Sequence, residues 1–172
     1  MFRFSFSKKN NTGFTLIEVI AAIFLIIVGL VGVLIVVQQF FPTIKIASSQ
    51  LTAAYLVQEG IEIVRNIRDT NWLNGQEWTT GIFCSGPPLS ECQADYTNTT
   101  NLDNFTGEQL KISSGFYSYQ PGISSPFVRK ITVASTTDSD NTDIIDVTVL
   151  VTWQMAGKSY QASATEYLYN WK

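Results

Sequence analysis

Between Phe14 and Val37 the chain carries one charge, Glu18, in a run otherwise built of apolar and small residues. A helix needs about 20 apolar residues to span a bilayer, and this run is long enough. Backbone polar groups in lipid must bond within their own segment, so a lone span is predicted to be helical. Arg3, Lys8 and Lys9 precede the run. Their charge favours a cytoplasmic N-terminus, with the remainder of the chain outside.

A secretory signal would be cut after its apolar core at a small-residue site. The chain there reads Gln38-Gln39-Phe40-Phe41-Pro42, with no such pattern. The small residue at a plausible cut is Gly13, which stands ahead of the core. A plain signal anchor leaves Glu18 unexplained, because a carboxylate inside a membrane segment costs a few kcal/mol and usually marks function. Cutting after Gly13 would make Phe14 a cationic terminus about one helical turn from Glu18. The amine and the carboxylate would then neutralise each other, within one subunit or between neighbours.

Lys8-Lys9 with Gly13-Phe14-Thr15-Leu16-Ile17-Glu18-Val19 closely resembles the processing motif of type IV prepilins and type II secretion pseudopilins. The resemblance implies cleavage after Gly13 by a membrane-embedded prepilin peptidase and methylation of the new Phe14 amine. It also implies pairing of Glu18 with a neighbour's N-terminus during filament assembly. The implied partners are that peptidase, other pilin or pseudopilin subunits and an inner-membrane assembly platform. The implied location is the inner membrane, single-pass, and then the filament or cell surface. Ala54–Glu62 with Arg65–Asp69 also looks like a minor pilin of the V type or its secretion counterpart, the I-type pseudopilin.

The chain divides accordingly into a leader (1–13), a membrane and assembly helix (14–41), an amphipathic continuation (42–69) and a β-rich head (70–172). The expected class is α+β, a long N-terminal helix against a small antiparallel sheet. Gly29 and Gly32 lie mid-span without a GxxxG spacing, so no dimer motif follows. Pro42 is placed to kink the helix near the membrane exit. Ala53, Leu56, Gly60, Ile63 and Ile67, with Val57 and Val64 beside them, form a helical stripe facing a core. On the wetter side Glu62 can bond Asn66, and Arg65 can bond Asp69. Asp69-Thr70-Asn71 carries turn chemistry where the helix is expected to stop, after roughly 80 Å.

Thr70–Gly122 reads as an insertion with short strands, its aromatics frequent enough to exclude a disordered tail. Most of its Trp residues are expected in the core. Cys84 and Cys92, the only cysteines, suit a loop-closing disulfide in an exported head. Two thiols and no His do not make a metal site. Asn98-Thr99-Thr100 and Asn104-Phe105-Thr106 match the glycosylation sequon, for which an ordinary polar loop is the default reading. Phe127–Ala134, Ile144–Trp153 and Ser159–Tyr169 are strand candidates. Met155–Lys158 is the turn of a hairpin, and Ser135–Asp143 a polar linker. Asp138, Asp140 and Asp143 invite calcium, but their spacing is not that of an EF-hand, and a solvated loop fits better.

Composition narrows the function. Net charge is −3, and removing Arg3, Lys8 and Lys9 with the leader takes it to −6, which does not suit a nucleic-acid partner. Without His, and with no nucleophile elbow or phosphate loop, the chain has no catalytic constellation and calls for no cofactor. The alternative to a filament subunit is a signal-anchored extracytoplasmic binding domain that never polymerises.

Overall fold

A computed structural model describes residues 13–137 and 143–170. Among these residues the element order is one helix, α1 (Leu16–Leu73), then eight strands: β1 (Leu89–Gln93), β2 (Asp103–Asn104), β3 (Lys111–Ser113), β4 (Phe116–Ser118), β5 (Ile123–Ser124), β6 (Val128–Thr137), β7 (Asp143–Met155) and β8 (Lys158–Tyr169). This is the α+β, pilin-like layout. Contacts divide the chain into two units between Lys45 and Ile46. In the first unit Phe14 and the apolar side chains of α1 from Leu16 to Ile44 are exposed throughout. The helix runs through Pro42 without interruption.

The second unit is the head. Its five-stranded antiparallel sheet has the order β2-β1-β6-β7-β8. The alternation along β7 explains which face is inside: Ile145, Val147, Val149, Val151 and Trp153 are buried, while Asp146, Thr148 and Thr152 are half-exposed. The α1 stripe packs into one core cluster with this inner face. Gly60 sets how closely they meet, since a Cβ there would lie 2.9 Å from Val149 Cγ1 and 3.3 Å from Arg129 Cδ. The β7–β8 hairpin closes at Ala156-Gly157, both at positive φ (50° and 74°), the geometry of a type I′ turn. Ser114-Gly115 does the same between β3 and β4, in a small second sheet of order β4-β3-β5.

Three sequence expectations are corrected. The helix does not stop at Asp69. Asn71 is buried, and its amide donates to the carbonyls of Trp78 (3.2 Å) and Thr80 (2.8 Å), which holds the extra turn against the loop that follows. The end comes at Gly75 (φ 67°), where Gly75 N–H donates to Trp72 O and Gln76 N–H to Asn71 O, a Schellman cap. Second, Ser135–Thr137 are not linker but the end of β6, paired with Ile145, Ile144 and Asp143. Third, Arg65 pairs not with Asp69 but with Glu62 (2.5 Å) and, through Nη2, with both carboxylate oxygens of Glu166 on β8 (2.7 and 2.6 Å). Asp69 accepts from Arg68 instead, and Asn66 accepts from the Thr70 hydroxyl rather than meeting Glu62.

Candidate functional site

The sequence places the site at the start of α1. Gly13, Phe14 and Thr15 precede the first helical turn. Thr15 caps it: the Glu18 N–H donates to Thr15 Oγ1 (3.3 Å) and to Thr15 O (3.1 Å). Glu18 therefore stands three residues past the cap, where a capping box carries its acid. That spacing was a legible signal the motif reading passed over. A first-turn carboxylate gains about 0.3–1 kcal/mol from the helix dipole. Carrying an acid into a membrane costs about 2.5–3.5 kcal/mol on insertion scales. The local helix role thus offsets only part of that cost.

Phe14 is 82% exposed, and Glu18 is exposed on a helix whose apolar neighbours are equally bare. Leu16–Leu73 contains the stretch long and apolar enough to cross a membrane, with none of that window buried. Among the described residues, a Cβ at Gly13 would meet no atom within 4 Å. Gly29 and Gly32 are open in the same sense.

A family model described as the prokaryotic N-terminal methylation motif matches residues 8–34. The chain is type IV prepilin-like. The motif marks a pilin- or pseudopilin-type substrate of prepilin peptidase and implies assembly with other pilins. Proteins that carry it are structural subunits, and a membrane-anchored pilin fits both the motif and the bare apolar helix. Comparison with curated proteins and with solved structures gave no match. The motif match ends at residue 34 and does not extend into the head.

The head of this prepilin-like chain holds together around a residue the sequence reading did not single out. Arg129 lies on β6 with its side chain wholly buried. It donates to Leu56 O (3.0 Å) and Glu59 Oε2 (3.0 Å) on α1, and to Ala94 O just past β1. Its signal was parity: Phe127, Arg129, Ile131 and Val133 alternate on the buried face, so the strand pattern carries one cation inward. Asp95, next to Ala94, is buried and accepts from the backbone N–H of Thr97 and Tyr119 (2.8 and 2.7 Å). Tyr119 in turn donates its hydroxyl to Arg129 O (3.3 Å). Burial is the main cause that pushes the Tyr119 phenol up to about 12, opposed by the Arg129 charge.

Cys84 and Cys92 form a disulfide that fixes the Cys84–Cys92 loop to buried Cys92 on β1. Trp78 and Trp153 are core residues and Trp72 is half-buried, whereas Tyr96 and Phe116 are exposed and lean on each other, centroids 5.3 Å apart. The Asn98 amide is committed to Asn101 O and Asp103 Oδ2, and Asn104 lies in β2, so both sequons sit in bonded structure. Among the described residues no group of three or more His, Cys, Asp or Glu could hold a metal. Asp138 and Asp140 lie outside the described residues, and Asp143 is exposed at the start of β7.

Proposed function

We propose that this chain is a minor pilin or pseudopilin subunit of a type IV pilus or type II secretion filament, cut after Gly13 and methylated on the Phe14 amine. Glu18 sets its register by meeting the Phe14 amine of a neighbouring subunit. The observation that carries this reading is one exposed carboxylate at the start of a bare apolar helix, inside the matched N-terminal methylation motif. Cleavage supplies the cation that the helix dipole alone does not replace. A disulfide in the head fits an extracytoplasmic location.

Intact mass of the protein from cells tests processing: loss of residues 1–13 and gain of one methyl group are expected. A retained leader would leave a tethered domain instead. Glu18→Ala is expected to be processed normally yet to drop out of the sheared filament fraction. Incorporation at the wild-type level would remove Glu18 from the mechanism. Gly13→Leu is expected to stop maturation at the full-length precursor.

A further inference from the structure

The helix begins just past the bond that processing would cut. Leu16 is the first residue of α1, while Gly13, Phe14 and Thr15 lie outside it. Thr15 makes that boundary. Its carbonyl accepts the first helical bond, from Val19 N–H (3.2 Å), and its hydroxyl oxygen accepts from Glu18 N–H (3.3 Å). The cap is one-sided. A full capping box would also carry the Glu18 carboxylate back to Thr15 N–H. Among the described residues that carboxylate makes no bond, and Thr15 supplies the one side-chain bond to the first turn.

Removing this cap would free the helix to grow backward. Thr12, Asn11 and Asn10 are all of capping types, so a new start is at hand upstream. Gly13, a poor helix former, opposes the extension only in part. Helix bonds run four residues back. A helix begun at Thr12 would therefore have the Gly13 carbonyl accept from Ile17 N–H, and the Phe14 carbonyl from Glu18 N–H. As the chain stands, neither carbonyl accepts a helix bond from the described residues. Hydrolysis after Gly13 adds water across the C–N bond and leaves a Gly13 carboxylate and a Phe14 ammonium. A protease must reach that carbonyl carbon. A segment closed into structure is cut in proportion to the population in which it is open.

We infer that Thr15 is a positioning residue for processing. Its hydroxyl fixes the start of α1 on the far side of the scissile bond, which keeps the Gly13–Phe14 peptide free to enter the peptidase. The inference rests on the cleavage proposed above. It separates two roles within one turn: Thr15 serves the cut, and the Glu18 carboxylate is left free for assembly.

Pulse–chase of the full-length chain in its own cells, read as the ratio of precursor to mature form, tests this. Thr15→Val keeps the shape of the side chain and removes the cap, whereas Thr15→Asn changes the shape and keeps the cap. Thr15→Val is expected to slow conversion about fivefold, the typical worth of a cap when cutting follows the open population. Thr15→Asn and Thr15→Ser are expected within about twofold of wild type. Conversion of Thr15→Val at the wild-type rate overturns the inference and leaves the cleavage reading standing. So does Thr15→Asn or Thr15→Ser as slow as Thr15→Val, since the peptidase would then be reading the threonine side chain itself. Wild-type chain that keeps its leader takes down both.

Discussion

Replacing Arg129 by Met tests whether one buried cation fastens helix to sheet. The substitution keeps an unbranched apolar stem and removes the bonds to Leu56 O, Glu59 and Ala94 O. Breaking a buried ion pair costs about 3–5 kcal/mol, because one charge is left without its partner. Here that partner is Glu59, one-third exposed and able to regain water, which draws the figure to the lower end. Arg129 Nε is buried with no bond, a cost the wild type already bears and the variant relieves. A loss of about 3 kcal/mol follows, or a fall of about 10 °C in melting temperature for a head of this size. The assay is urea unfolding of the full chain in detergent, followed by the fluorescence of the buried Trp78 and Trp153. The double variant Arg129→Met/Glu59→Gln separates the causes: recovery of most of the loss assigns it to the orphaned carboxylate, and no recovery assigns it to the two carbonyls. A single variant within about 0.5 kcal/mol of wild type would refute the reasoning, since that is the range of an ordinary surface change.

Three further outcomes follow from the head. Cys84→Ala/Cys92→Ala should lower stability by about 2.5 kcal/mol on the loop-entropy estimate for so short a loop, read by urea midpoint. Tyr119 holds its proton to about 12 when folded and releases it near 10 when unfolded, so its contribution is complete below pH 10 and is lost as pH climbs towards 12. The stability of Tyr119→Phe should therefore fall less steeply than wild type across that window, by about 2 kcal/mol in total. Gly60→Ala gains about 1 kcal/mol of helix propensity but forces a methyl against the stiff, buried Val149, an overpacking of about 1–3 kcal/mol. Net loss, reversed by adding Val149→Ala, is expected in thermal melts.

Where the sequence was legible, the signal was local. The buried α1 stripe and the alternation of β7 each repeat within one element, so Val64 and Val149 could be placed inside without knowing what faced them. The motif at Gly13–Glu18 was legible because its spacing is short and its acid is out of place in an apolar run. What stayed hidden depends on partners far away in the chain. The last turn of α1 survives because Asn71 reaches the carbonyls of Trp78 and Thr80, and Arg65 finds Glu166 across 101 positions. The two- and three-residue strands of the second sheet are too short to show a period, and their Ser114-Gly115 turn gave no count of strands.

Glu18 and Arg129 pose one problem with two solutions. Each is a charge placed by sequence period among apolar residues, and each must find a counter-charge or stay in water. Arg129 finds its partners within the chain, because α1 and β1 bring a carboxylate and two carbonyls to one buried point. Glu18 lies on a helix that buries nothing within its own unit, and its first-turn position supplies less than half of the cost of entering lipid. A charge satisfied inside serves the fold of one subunit. In the proposed function, the remaining cost of Glu18 is met by another subunit's terminus, and only after the leader is removed. Processing and assembly would then be one electrostatic event: the proposed cut that exposes the Phe14 amine would also make Glu18 tolerable in the membrane core.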